Sequence, residues 1–110
     1  MPDTVYNYVF VRQDLPLADQ LVQACHACLE AARTFGQPEG ASLVLLGVES
    51  ADHLHEALAH IHPIRAAKFY EPDNDGVRPG PMGYAAACTE PIRGSARERL
   101  RKFDLWSPPT

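Results

Sequence analysis

ASLVLLGV, residues 41–48, is a short and nearly continuous apolar run in a chain of 110 residues. Gly40 and Glu49 bound it on either side. A run of this length and composition is typical of a strand covered on both faces of its sheet, because such a strand has no solvent-facing side to make polar. The stretch therefore favours an α/β fold, in which helices cover the sheet.

Helical patterns flank this strand in the sequence. Before it, apolar residues recur at steps of three and four, which predicts a long first helix that ends at Gly36 and Pro38. After the strand, Ser50 is a favourable N-cap for a second helix, which Pro63 stops. The inward stripe predicted for the first helix is Leu17, Leu21, Ala24, Cys28, Ala31 and Phe35.

The remaining segments predict three more strands, a loop and a last helix. SARERLRKFDLW, residues 95–106, has the pattern of an amphipathic helix with Leu100 and Phe103 inward. The other strands are predicted at residues 6–11, 64–70 and 83–89, and a glycine- and proline-rich loop at 74–82.

The order β-α-β-α-β-β-α predicts a three-layer α/β/α sandwich with a four-stranded mixed sheet. The length suits one hydrophobic core and is too short for two, so residues 1–110 are expected to form a single domain. No run approaches the roughly 20 apolar residues of a membrane span, and the N-terminus lacks the basic and apolar regions of a secretion signal. Three cysteines, an odd number, argue against a disulfide framework, so a cytoplasmic protein is expected.

QACHACLEAA, residues 23–32, contains two cysteines three positions apart. On a helical wheel both Cys25 and Cys28 are expected to face the core. A zinc site needs about four ligands, and the one further cysteine, Cys88, lies in a predicted buried strand. Redox pairs of this spacing sit at a helix N-terminus, whereas this pair lies in mid-helix. The prediction is therefore buried structural thiols and no metal.

His26 falls on the opposite side of the first helix, in a polar stripe. The stripe is formed by Asp19, Gln23, His26, Glu30 and Arg33. One interpretation is a solvated helix face in which Glu30 pairs with His26 at the i,i+4 spacing. The other is that the stripe lines a functional site. The net charge of −4 argues against broad, non-specific nucleic-acid binding and leaves room only for a local basic patch.

Four motifs resemble one family in their order and spacing. They are VFVRQDL at residues 9–15, QACHACLEA at 23–31, FYEPD at 69–73 and GYAAACTEPI at 83–92. The chain resembles the archaeal and eukaryotic (type 2) class of peptidyl-tRNA hydrolase from Tyr6 to Trp106, as a divergent, bacterial-type member. The resemblance implies a mixed four-stranded sheet flanked by helices, no metal or other cofactor, and a homodimer. It also implies hydrolysis of the ester that joins a peptide to the 3′ end of tRNA.

The resemblance further implies roles for particular residues. His26 and Asp73 match the family's helix histidine and loop aspartate, which would orient or deprotonate a water; His26 has a structural role as its alternative. Arg12, Asp14 and Gln23 match a strand-end pair and a helix glutamine expected to contact the substrate.

The chain departs from the family at two groups. A lysine-rich stretch before the first helix is here Pro16-Leu17-Ala18-Asp19, and two threonines of the last strand are Gly83 and Ala85. The loss of a single oxyanion donor typically slows an enzyme by on the order of 100-fold. Tyr84 could replace the hydroxyl, and the replacements considered for the cation are Arg12, Arg65, Lys68 and Arg78, with Lys68 also expected in substrate binding.

Three functions agree with these observations. The first is a peptidyl-tRNA hydrolase with altered site residues. The second is a non-catalytic module that binds RNA, a protein segment or a small ligand on the same fold. The third is a hydrolase of this fold with a less anionic substrate.

Overall fold

One four-stranded mixed sheet organises the chain, with the strand order β2-β1-β4-β3. The structure, a computed structural model, describes residues 4–109; the outermost residues of the predicted domain 1–110 lie outside this range. Along the chain the elements are β1 (Tyr6–Arg12), α1 (Leu17–Phe35), β2 (Ser42–Val48), α2 (Ala51–Ile61), β3 (Ala66–Glu71), β4 (Gly83–Thr89) and a 3-10 helix (Gly94–Leu100). β1 pairs parallel with β2 and antiparallel with β4, and β3 pairs antiparallel with β4. The predicted α/β fold with a mixed sheet is confirmed.

Helices cover both faces of the sheet and give three layers. Val9 and Val11 of β1 point to the side of α1, where they pack with its alanines. Tyr8 and Phe10 point the other way, into a cluster that contains Leu54 of α2 and residues of the 3-10 helix. The alternation follows from the period of two along a strand. In the part of the chain that the structure describes, no helix combines the length and apolarity needed to cross a bilayer.

The buried face of α1 differs from the predicted stripe. Leu17 and Leu21 are 41% and 47% exposed, so the prediction that they face the core is wrong. The buried residues of α1 are Gln20, Gln23, Ala24, Ala27 and Ala31. Alanines let the helix lie close to the small residues Ala86 and Cys88 of β4, which share one cluster with them. Leucines in the same positions would hold the helix away from the sheet.

Gln20 is buried at this interface because its polar atoms are paired. Its Nε2 donates to the carbonyl of Leu15 at 2.7 Å, and its Oε1 accepts from the indole N–H of Trp106 at 2.7 Å. A buried amide with both ends hydrogen-bonded carries little desolvation penalty.

The exposure of the cysteines on α1 depends on the same choice of buried helix face. Cys25, predicted to face the core, is exposed, whereas Cys28 is half-buried and Cys88 is buried. The prediction is therefore wrong for Cys25, because the alanine face that contacts the sheet turns this position toward solvent. The buried strand position of Cys88 is confirmed.

The last element is not the predicted amphipathic α-helix. Leu100 is buried and Phe103 half-buried as expected, but the helix is of the 3-10 type and ends at Leu100. The chain then extends along the outer edge of β2, where the amide of Gly47 donates to the carbonyl of Asp104 at 2.9 Å. The amide of Trp106 likewise donates to a β2 carbonyl, that of Leu45, at 2.9 Å. These bonds require extended backbone, which a continued helix could not supply, and they cover an open sheet edge.

A β-bulge decides which side chains share a face at the other edge. Phe69 pairs with Ala86, but the next residue, Tyr70, pairs with Tyr84, so Ala85 is the extra residue. Phe69 packs with the α1 cluster. By alternation, Tyr70 and Tyr84 lie on the α2 face of the sheet, as does Lys68 on β3.

Candidate functional site

The polar candidate residues gather where β1 ends and the loop between β3 and β4 crosses it. Arg12 is only 5% exposed. Its guanidinium donates to both carboxylate oxygens of Asp14, at 3.0 and 2.7 Å. It also donates to the carbonyls of Met82 and Tyr84, at 2.7 and 3.1 Å. The structure therefore pairs Arg12 with Asp14, the two residues of the strand-end pair, and the bond to the carbonyl of Met82 anchors the loop to the end of β1.

Arg78 reaches back from the loop to the same carboxylate. It donates to Asp14 Oδ2 at 3.0 Å and to Asp75 Oδ2 at 2.9 Å. Burial would raise the pKa of Asp14, but hydrogen bonds from Arg12 and Arg78 outweigh burial and leave that pKa below its ordinary value. Hydrogen bonds from the backbone amides of Arg78 and Val77, and then from the Arg78 side chain, lower the pKa of Asp75 to about 2. A lowered pKa makes each carboxylate a weaker proton acceptor, so neither is suited to act as a general base near neutral pH.

Asp73 differs from these two carboxylates. Its backbone amide donates to Glu71 Oε1 at 3.0 Å, and its carbonyl accepts from the amide of Met82 at 2.9 Å. These bonds fix its backbone, whereas its side chain is exposed. Within residues 4–109 the Asp73 carboxylate makes no hydrogen bond or ion pair, so it is available to solvent.

His26 lies on the α1 face of β3. Its ring is stacked on Phe69, with 4.6 Å between the ring centroids and 7° between the ring planes. Among the described residues, His26 makes no hydrogen bond with Asp73. The predicted pair His26 and Asp73 is therefore not hydrogen-bonded within residues 4–109, and the roles given to these two residues stay predictions.

The two polar atoms of the Gln23 side-chain amide differ in their hydrogen bonding. Its Nε2 donates to Glu71 Oε2 at 3.3 Å. Its Oε1 is buried and has no hydrogen-bond partner in the part of the chain that the structure describes. A buried unsatisfied acceptor costs about 1–3 kcal/mol. Such an atom needs an explanation, and an acceptor kept for a water or a substrate hydroxyl is one.

The four cations considered as replacements for the family's lysine differ in whether they form ion pairs. Arg12 is buried in its bonds to Asp14 and two carbonyls, Arg65 pairs with Glu90 at 3.2 Å, and Arg78 pairs with two aspartates. Lys68 is exposed, and within residues 4–109 it forms no ion pair. Its ammonium lies 4.9 Å from the ring centroid of Tyr84, the residue considered as a source of the hydroxyl.

Aromatic side chains surround this lysine on the α2 face. Tyr70 and Tyr84 are 48% and 37% exposed, and their ring centroids lie 5.2 Å apart. His55 of α2 contacts the Tyr84 ring edge-on at 5.1 Å. A cation beside exposed aromatic rings is the pattern that binds single-stranded nucleic acid by stacking and by charge.

The candidate residues therefore form two groups on opposite faces of β3, which is an edge strand. His26, Gln23 and Glu71 belong to the α1 face; Lys68 and the two tyrosines belong to the α2 face. Sequence reasoning missed Glu71, Phe69 and Tyr70. Their signal is the alternation within FYEPD, which puts Phe69 and Glu71 on one side of the strand and Tyr70 on the other.

No metal centre is formed by the side chains that the structure describes. Residues 4–109 contain no group of three or more His, Cys, Asp or Glu side chains placed to hold a metal ion. The fold and these groups define an α/β protein with a polar loop and an aromatic, basic strand edge. Neither a scan against models of known protein families nor a search of curated proteins gave a match to the chain.

Proposed function

We propose that this protein hydrolyses the ester of an aminoacyl- or peptidyl-tRNA, with the single-stranded 3′ end of the tRNA lying along the edge of β3. One observation carries the proposal: Lys68, which has no carboxylate partner within residues 4–109, lies 4.9 Å from the ring of Tyr84. This pair restores, on the strand edge, the cation and the hydroxyl that the resemblance to the hydrolase family leaves missing.

Ester hydrolysis needs an activated water and a group that stabilises the developing oxyanion. In the proposed reaction the exposed carboxylate of Asp73 takes a proton from the water, which attacks the ester carbonyl. The ammonium of Lys68 and the hydroxyl of Tyr84 stabilise the oxyanion. As the tetrahedral intermediate collapses, the ester C–O bond breaks and the ribose oxygen of the tRNA leaves with the proton that Asp73 took from the water. His26 is the second candidate base, since a substrate along an edge strand reaches both faces of the sheet.

The local chemistry of this edge offsets the acidic balance of the whole chain. Stacking of a base on an exposed aromatic ring such as Tyr70 is worth about 1–3 kcal/mol and does not depend on net charge. Phosphate contacts then need to come only from nearby cations such as Lys68.

The test is release of free peptide from a purified N-blocked aminoacyl-tRNA, at low salt and with no added metal. We expect Asp73→Asn to abolish turnover, because the amide cannot accept the proton. Asp52→Asn, which removes an exposed carboxylate of α2, is the matched control and should leave turnover unchanged. Unchanged turnover in Asp73→Asn would remove the role given to this residue.

A binding module without catalysis is the second candidate, and the exposed Tyr70 and Tyr84 beside Lys68 favour it. These side chains are sufficient for stacking and charge recognition even where no ester is cleaved. tRNA binding without peptide release in the same assay would establish this alternative. Absence of both would favour a hydrolase of a less anionic ester.

The proposal includes the homodimer and the cytoplasmic location expected from the sequence. The cysteines at positions 25, 28 and 88 are all free thiols, which agrees with a reducing compartment.

A further inference from the structure

A groove of about 240 Å³ lies between the 3-10 helix and the α2 face of the sheet. Strands β1 and β2 form its floor, and the 3-10 helix and the segment after it form its wall. Most of its side chains are apolar, from Val44, Leu46, Leu100, Phe103 and Leu105. Tyr8, Arg97 and Arg101 supply its polar groups, and no carboxylate of residues 4–109 lines it. An apolar lining with a few polar groups is the usual composition of a small-ligand site.

Arg97 is held in place at this groove by uncharged groups. Its Nε donates to the hydroxyl of Tyr8 at 2.9 Å. The central carbon of its guanidinium also lies 3.6 Å from the ring centroid of Tyr6, a cation–π contact. The stack and the hydrogen bond together fix the guanidinium, so little side-chain freedom remains to be lost when a ligand binds.

The charge and most of the donors of Arg97 have no partner in the part of the chain that the structure describes. A guanidinium has five N–H groups; there, only the one bonded to Tyr8 makes a hydrogen bond, and Arg97 forms no ion pair. By contrast, Arg12, Arg65 and Arg78 each pair with a carboxylate. Tyr8 is only 5% exposed, and among the described residues its hydroxyl accepts from Arg97 and donates to none. Both groups therefore lack an acceptor.

The balance of charge in the groove selects the ligand. Arg101 also lines the groove, but it pairs with Glu98 at 3.2 Å. The uncompensated charge is therefore that of Arg97 alone, which matches a monoanion better than a dianion. A carboxylate is a monoanion at neutral pH, and its two oxygens fit the paired N–H groups of a guanidinium.

We propose that this groove binds a small aliphatic carboxylate. The carboxylate accepts hydrogen bonds from Arg97 and from the hydroxyl of Tyr8, and the hydrocarbon chain lies on the apolar floor beside Leu46. The groove adjoins β1 and β2, whereas β3, which carries Lys68, is at the other edge of the sheet. The assignment goes beyond the proposed hydrolase function and does not depend on it.

The volume of the groove sets the size of the hydrocarbon chain. A water molecule takes about 30 Å³ of liquid, so the 240 Å³ of the groove hold a chain of about eight groups of that size. Burial of one methylene is expected to tighten binding by up to about fourfold. Affinity should therefore rise with chain length from butanoate to octanoate and then level off.

The test is titration calorimetry of the purified full chain with octanoate near neutral pH. We expect saturable binding of one octanoate per chain, and binding of the uncharged octanamide that is weaker by about tenfold or more. Arg97→Gln should weaken octanoate binding by a similar factor. Lys102→Gln is the matched control, because Lys102 carries the same charge next to Arg101 but does not line the groove, and its affinity should be unchanged.

A second variant separates binding from stability, since Arg97→Gln also removes the stack on Tyr6 and the bond to Tyr8. Leu105 is 71% exposed and lines the groove, so Leu105→Glu brings a competing carboxylate there without removing a partner of Arg97. We expect this variant to fold and to bind octanoate about tenfold more weakly or less, with Leu105→Gln as its uncharged control.

Four outcomes would overturn the proposal. They are absence of saturable octanoate binding, equal affinity for octanamide, tighter binding of octyl phosphate than of octanoate, and unchanged affinity in Leu105→Glu. Because the readout is binding and not ester cleavage, each of these outcomes leaves the proposed hydrolase function untouched. Loss of peptide release from tRNA in turn has no bearing on the groove.

Discussion

His26 lies flat on Phe69, so packing and chemistry of its ring can be tested separately. The substitution His26→Phe keeps an aromatic ring at the 4.6 Å stack and removes both ring nitrogens. We expect the melting temperature to stay close to that of the original protein. Turnover should fall by about 100-fold or more if a ring nitrogen moves a proton, the usual range for general acid–base catalysis.

The measurement for His26 is a thermal melt together with the ester-cleavage assay. His26→Ala, which loses the stack as well, should be both slower and less stable. Full activity of His26→Phe would show that the ring serves packing alone, which is the structural alternative that the sequence leaves open.

At Gln23, one substitution is expected to affect stability and turnover in different ways. Gln23→Leu removes the buried, unpaired Oε1, which relieves about 1–3 kcal/mol, and loses the bond to Glu71, worth about 0.5–1.5 kcal/mol. The free energy of unfolding is therefore expected to be unchanged or to rise by about 1 kcal/mol, while turnover falls. Urea unfolding and the cleavage assay check the two effects, and a loss of stability above about 2 kcal/mol would mean that Oε1 is paired in solution.

Lys68 can be tested against a matched lysine. The chain also has Lys102, whose ammonium lies 5.6 Å from the ring centroid of Phe103. Lys68→Gln is expected to lower turnover by about 100-fold and to reduce the dependence of tRNA affinity on salt by the equivalent of about one phosphate contact. Lys102→Gln should change neither. Equal effects of the two substitutions would mean that Lys68 acts only through the net charge.

At the scale of elements, the ion pairs that join the loop to β1 predict an acid-sensitive connection. The pKa of Asp14 is lowered in the folded protein, because hydrogen bonds from Arg12 and Arg78 outweigh burial. Its contribution to stability is therefore complete above the unfolded pKa of about 3.9, and it is lost as the pH falls through the lower folded value.

The test of this connection is urea unfolding of the original protein and of Asp14→Asn, at neutral pH and at successive pH values below about 4. We expect Asp14→Asn to be less stable at neutral pH and the difference between the two proteins to shrink as the pH falls. Other carboxylates with a lowered pKa are present in both proteins, so their contribution to the pH dependence cancels in the comparison. A difference that stays constant with pH would contradict the ion-pair origin.

The elements themselves were largely predictable from the sequence, but the orientation of α1 was not. Periodicity in steps of three and four identifies a helix. Two faces of α1 satisfy it, however: one that contains Leu17 and Leu21, and one that contains Gln20, Gln23 and Ala24. The choice between the two faces depends on the small residues of β4, which admit alanines at close range, and on the partners of Gln20, which include the distant Trp106. Such pairings are tertiary and leave no periodic signal.

The candidate site was predictable only in part, because some of its contacts also depend on tertiary structure. The adjacency of Arg12 and Asp14 follows from their spacing at the end of a strand, and the structure pairs them. The bulge at Ala85 shifts the register of β4 by one residue, so the partners of Lys68 and Tyr70 could not be counted from the sequence. The same shift decides that Lys68 lies beside Tyr84.

At the scale of the whole molecule, the outer face of α1 is the surface on which the expected homodimer can be tested. Val22 and Leu29, two turns apart, are 50% and 69% exposed, and contiguous exposed apolar side chains of this kind commonly mark interfaces. In a two-fold dimer a helix face packs against its own copy, so Val22 of one chain would meet Leu29 of the other. We therefore expect Val22→Glu to shift the protein from dimer to monomer, since the substitution buries two charges at one interface.

Light scattering after size exclusion, over a range of protein concentrations, measures this shift. Val77→Glu is the matched control, because Val77 is 76% exposed in the loop and away from α1. A monomeric original protein at every concentration would contradict the homodimer itself. A dimer that survives Val22→Glu would place the interface elsewhere. If Val22→Glu is monomeric and still cleaves the ester, the site on the β3 edge is complete within one chain, because His26, Asp73 and Lys68 then act without a second copy.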